Sequence, residues 1–129
     1  MQMNITPQTT LAEIQATFQS AYPKLKLQFI LDGKSPEPSH FIKDENHPIK
    51  HFYPHASSFQ VDAGEGVSTG NLEKSMLMAG LTVQVFRRSG RVWLETIQTD
   101  HLSLKEQQML SELHDEASEE IHPGEIDYD

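Results

Sequence analysis

The sequence predicts a single α+β domain, a two-layer sandwich in which a sheet carries its helices mainly on one face. Three observations predict it. Apolar residues recur at helical spacing near 11–21, 72–79 and 104–113, and they alternate with polar ones at 25–30 and 81–96. The segments follow one another as βαβ, long loop, βαββα. Right-handed crossovers put both βαβ helices on one face of a single sheet, the ferredoxin-like arrangement. At 129 residues the chain is the size of one domain and can bury roughly two-thirds of its unfolded surface.

Each element has its own signal. A short strand is expected near residues 3–5. Thr10-Leu-Ala-Glu13 fits a capping box, so a helix carrying Leu11, Ile14, Phe18 and Ala21 follows, and Pro23 ends it. Leu25, Leu27 and Phe29 lie on one face of the next strand, which Asp32-Gly33 turns. From about 34 to 58 the pattern fails: Pro36, Pro38, Pro48 and Pro54 punctuate a polar stretch that reads as an irregular insertion. Phe59–Ala63 is a short strand. Ser68 or Thr69 then caps a helix carrying Leu72, Met76, Leu77 and Ala79, with Gly80 at its C-terminal end. After a hairpin at 81–96, Ser103-Leu-Lys-Glu106 is a second capping box and opens a helix with Leu104, Gln107, Met109, Leu110 and Leu113. The domain is drawn at 1–117, and 118–129 as an acidic, frayed tail. The two halves also echo each other: Ile14, Phe18 and Ala21 match Leu72, Met76 and Ala79, and Leu25–Phe29 matches Leu81–Val85.

Composition narrows the function. The formal net charge is −9, and every Lys and Arg lies at or before Lys105, whereas nine acidic residues follow it. A neutral body with an acidic tail repels phosphate backbones, so nucleic-acid binding is disfavoured. No eighteen-residue apolar run is present and Met1-Gln-Met-Asn-Ile5 does not read as a leader, so a soluble cytoplasmic protein without membrane contact is expected. There is no Cys, which removes disulfides, thiolate nucleophiles and Cys-containing zinc sites.

The hairpin is the candidate contact surface. A two-residue loop at Ser89-Gly90 opposes Phe86 to Trp93 and sorts the faces: Val83, Val85, Val92 and Leu94 on one, Gln84, Phe86, Arg88, Arg91, Trp93 and Glu95 on the other. Phe and Trp side by side are costly to leave in water. Three coverings stay open: the final helix, a second copy of the chain, or another protein, since Trp and Arg are enriched at contact hot spots. Carboxylates after residue 115 are expected to fold back on Arg88 and Arg91.

The same stretch, Val83-Gln-Val-Phe-Arg-Arg-Ser-Gly-Arg-Val-Trp-Leu-Glu-Thr96 with Thr99-Asp100 and Leu104 to Gln107, resembles a group of small proteins from Bacteroidota genomes. The resemblance covers roughly 70–108. Its motif is VQVFRxSGxxWLET, and members tend to have Trp where this chain has His101. The resemblance implies a bacterial cytoplasmic setting and no catalytic residues.

Candidate chemistry is thin. His40, His47, His51 and His55 crowd the insertion, and the spacing of the last three would align imidazoles on a helix as metal sites do. Pro48 and Pro54 interrupt that helix, so solvated loop histidines are the favoured reading, with His47, His51 and His55 the only metal candidates. There is no G-x-S-x-G; Gly64-Glu-Gly66 lacks a cation for phosphate; Asp100-His101 lacks a third partner. The expected function is therefore a non-enzymatic module, without cofactor, that contacts a protein partner or forms a homodimer through the outer face of the 81–97 hairpin. The alternative is a metal protein or enzyme built on the histidine-rich loop 40–55.

Overall fold

The computed structural model describes the backbone of residues 1–120 and the side chains of residues 1–114. The elements are β1 (Gln2–Ile5), α1 (Leu11–Ala21), β2 (Leu25–Phe29), α2 (Ile49–Phe52), β3 (Phe59–Asp62), α3 (Thr69–Met78), β4 (Val83–Ser89), β5 (Val92–Glu95) and α4 (Leu104–Glu120), with 3-10 turns at Pro38–His40 and Ile97–Thr99. The fold is α+β, as the patterning predicts. Both capping boxes form. The Thr10 hydroxyl accepts from Glu13 N–H, and Ser103 Oγ from Glu106 N–H while Glu106 Oε1 accepts from Ser103 N–H. Ser68 caps α3, and Gly80 follows that helix at φ 97°, where only glycine is at ease. The acidic tail past Glu120, and the carboxylates expected to fold back on Arg88 and Arg91, lie outside the described residues.

The strands form two antiparallel sheets, β1–β3 and β2–β4–β5, instead of the single sheet expected from the sequence. The far edge of β2 is taken by the insertion, where Ile30 bridges Phe41 and Ile42 N–H donates to Phe29 O. The far edge of β4 is taken by β5. β1 and β3 pair with each other, and Met3, Ile5, Val61 and Ala63 join the common core.

The sequence echo is matched by a repeated pattern of contacts in the two halves. N-caps Thr10 and Ser68 each make an isolated bridge to the residue before the following helix in their own half, Pro48 and Ser103. Leu11 N–H donates to His47 O and Ile49 N–H to Thr9 O; in the second half Thr69 N–H donates to Leu102 O and Leu104 N–H to Val67 O. Matching the halves on their helices and strands makes Gln28 the counterpart of Gln84, and these two are opposed in the β2–β4 pair. The same matching makes Met3 the counterpart of Val61, opposed in β1–β3. One pseudo-twofold axis therefore runs through both sheets. The buried glutamines obey it: each donates to the next carbonyl along its strand, Phe29 O or Val85 O, and to a later segment of its own unit, at Ile42 O or Thr96 Oγ1. The insertion at 34–58 is thus the first unit's version of β5–α4, and its Ile42, Ile49 and Tyr53 are core residues.

Candidate functional site

The hairpin loop is Gly90-Arg91, one residue later than the sequence suggests. Ser89 pairs with Val92, Arg88 with Trp93, Arg87 with Leu94 and Phe86 with Glu95. Gly90 has φ 61° and Arg91 a negative φ, the pattern of a type II′ turn with Gly first. The shift moves both strands by one step, so the division of faces survives while the Phe86–Trp93 pair does not.

Phe86 is buried and is covered within the chain, its ring edge-on to Phe41 at 5.6 Å. Trp93 is half-buried, with Lys26 Nζ 5.8 Å and the Arg88 guanidinium 5.6 Å from its ring centroid. Arg88 Nε also donates to Gly90 O, which fixes the guanidinium beside the turn, and Arg91 is exposed in the loop. The result is an indole ringed by cations. The final helix packs on the opposite face of the sheet: Leu25, Leu27, Phe29, Val83 and Val85, which join Leu104 of α4 in the core, alternate with the residues of the Trp93 face.

α4 buries Leu104 and Gln107 as expected, but not Met109 or Leu113. Gln107 and Ser111 are fully buried against β4, whereas Met109 and Leu113 are 50% and 57% exposed. The cause is Arg87. Alternation drives it into the core-facing row opposite Leu94, and it needs polar company there: Nη1 donates to Gln107 Oε1 at 2.9 Å. Gln107 Nε2 in turn donates to Thr99 O, and Ser111 Oγ donates to Arg88 O. Arg87 is only 8% exposed, its Nε has no acceptor, and among the described residues no carboxylate pairs with it. Burial accordingly lowers its pKa. Beside it opens a groove of about 320 Å³ lined by Arg87, Glu95, Ile97, Gln98 and Thr99.

Sequence reasoning also missed a half-buried carboxylate. Glu73 of α3 accepts from Val85 N–H at 2.8 Å, just beyond the end of β5, and burial first, then Asp100, raises its pKa to about 7. Thr96 Oγ1 and Gln84 Nε2 both donate to Val85 O, so three side chains serve the Val85 backbone groups where the neighbouring strand has ended.

The histidines are brought together in part. His47 and His51 stack face to face with centroids 4.3 Å apart, and His47 Nε2 lies 3.0 Å from Asp44 Oδ2. His55 lies past α2, next to the backbone that Gly80 approaches. Parallel rings direct their lone pairs side by side, and among the described residues no group of three or more metal-ligating side chains is placed to hold an ion. No helix among the described residues is long and apolar enough to cross a membrane. Comparison with protein-family models, curated proteins and solved structures returned no match.

Proposed function

We propose that the chain is a protein-contact module that works through the outer face of the hairpin at 81–97. The observation that carries this reading is Trp93, half in water and ringed by Lys26 and Arg88 on the sheet face opposite the core. A Trp flanked by cations is the side-chain chemistry most enriched at contact hot spots, where the rim supplies charge and the ring supplies buried area. Arg91, at the tip of the turn, extends the cationic rim. Such a face suits a partner that presents carboxylates around an apolar or aromatic centre.

Iodide quenching of the Trp93 emission, read together with the sedimentation mass, tests the proposal. A quenchable Trp93 in a monomer is the expected result and means an open contact face. A shielded Trp93 in a dimer that Trp93→Ala dissociates assigns the face to a second copy. A shielded Trp93 in a monomer overturns the reading.

A further inference from the structure

We propose that β5 pairs its open edge antiparallel with the same edge of a second copy of the chain, Trp93 opposite Trp93 and Arg91 opposite Glu95. The inference names the partner of the contact surface proposed above and rests on that reading.

Strand phase decides what the edge offers. Arg88 N–H donates to Lys24 O, on the β2 side of β4, so Arg88 and Trp93 are a pair that exchanges no hydrogen bonds. Ser89–Val92 and Arg87–Leu94 are then the bonded pairs, and the N–H and C=O groups of Trp93 and Glu95 point away from β4. Among the described residues none of these four groups has a hydrogen-bond partner. Proteins ordinarily blunt such an edge with Lys, Pro or a bulge, and Val92-Trp93-Leu94-Glu95 has none of them.

The sequence along the edge selects a second copy. Arg91-Val-Trp-Leu-Glu95 runs cation, apolar, Trp, apolar, anion. Laid antiparallel on itself, it sets each Arg91 against a Glu95, Val92 against Leu94 and Trp93 against Trp93. Outward-pointing residues must meet one another, so the register can slip only in steps of two. A slip to either neighbouring register leaves Arg91 opposite Trp93 or Ile97, and both ion pairs are lost. Arg91 and Glu95 are exposed, and among the described residues neither makes an ion pair within its own chain. The Trp93 rings come side by side on the outer face, each already flanked by Lys26 and Arg88, while Leu94, 37% exposed, gains Val92 of the second copy on the other face. Two four-residue edges bury little area, so the association is weak, with a Kd on the order of 100 µM. The chain is then monomeric at the low micromolar concentrations of a fluorescence measurement and pairs as it is concentrated.

Sedimentation velocity of the full-length chain in about 0.15 M salt, where charges more than about 8 Å apart are largely screened, tests the pairing. The mass should rise toward two chains between about 10 µM and about 1 mM. Arg91→Glu and Glu95→Arg, both at exposed positions, each set like charges opposite one another and should weaken association about tenfold or more. Mixed in equal amounts, the two variants restore both ion pairs and should associate as the parent chain does. In the dimer the amide hydrogens of Trp93 and Glu95 should exchange more slowly, whereas those of Val92 and Leu94, already bonded to β4, should not change. Variants that associate like the parent, a mixture no better than either variant alone, or a dimer whose Trp93 and Glu95 amides are unprotected would each overturn the edge pairing. A chain still monomeric at about 1 mM whose Trp93 is quenched by iodide overturns the second copy and leaves the contact reading standing; a monomer with Trp93 shielded overturns both.

Discussion

Glu73 and Gln15 occupy equivalent positions in the two halves, one residue after Leu72 and Ile14, and both reach the edge of the neighbouring strand. Gln15 donates to Leu27 O and also meets Glu45, so the first unit closes its edge with a neutral amide. The second unit uses a carboxylate, which accepts from Val85 N–H but loses solvation. Because its pKa in the fold, about 7, lies above the ordinary 4.5, folding favours the protonated form. Its contribution is complete below about pH 4.5 and is lost as pH rises through about 7. That loss is on the order of 3 kcal/mol. Glu73→Gln copies the other half's solution: urea denaturation between pH 5 and 8 should show a flatter stability profile, with the variant the more stable protein at pH 8. Equal slopes for the two proteins would remove the carboxylate from this account. At Trp93 the same residue-level reasoning gives a modest effect. A half-exposed ring held by cations should cost about 1–2 kcal/mol on Trp93→Ala, below the roughly 3–5 of a fully buried Trp.

Elements fail or hold according to which face they bury. In α4 Met109 and Leu113 face outward, so Met109→Ser and Leu113→Ser should each change the melting free energy by under about 0.5 kcal/mol, while Leu104→Ala should cost about 2–5. If the outward pair cost as much as Leu104, the orientation of the helix would be refuted. Gly80 offers a second contrast. Its φ of 97°, and the Ala56 Cα only 3.3 Å from where an alanine Cβ would stand, predict a loss of more than about 1 kcal/mol for Gly80→Ala. Gly66→Ala, with open space around it, should be nearly silent in the same thermal melt. These contrasts also mark what was legible beforehand. Capping boxes at Thr10 and Ser103 and the terminating Gly80 were readable because each is a local signal completed within a few residues. The helical face of α4 was legible at Leu104 and Gln107 but not at Met109 and Leu113, which repeat at the right spacing and are turned outward across the sheet from the buried Arg87. The hairpin register slipped because Ser89-Gly90 and Gly90-Arg91 both supply a glycine to a two-residue loop. Faces were still sorted correctly, which put Trp93 on the side away from the valines with its covering left open, whereas Arg87 sat unnoticed in a row of valines.

For the whole molecule, the pseudo-twofold axis dictates cooperativity. Neither half holds a complete sheet: β1 finds its partner in β3, and β2 in β4, so each sheet takes strands from both units. The paired glutamines at the axis, Gln28 and Gln84, are buried amides that each make one hydrogen bond within their own strand and a second to Ile42 O or Thr96 Oγ1. A half that opens would expose the apolar face of its neighbour and orphan a row of backbone groups, each costing about 1–3 kcal/mol if left buried without a partner. Partial unfolding is therefore disfavoured, although the chain is built from two similar units that in a solenoid would melt separately. The single Trp reports only the second unit, while far-UV circular dichroism reports both. Their urea transitions should coincide, and Leu27→Ala in the first unit should lower the midpoint of the Trp93 transition by as much as it lowers the dichroism midpoint. A Trp93 transition unmoved by Leu27→Ala would show that the units fold independently, and the interlocked strand pairs would then not be what holds the molecule together.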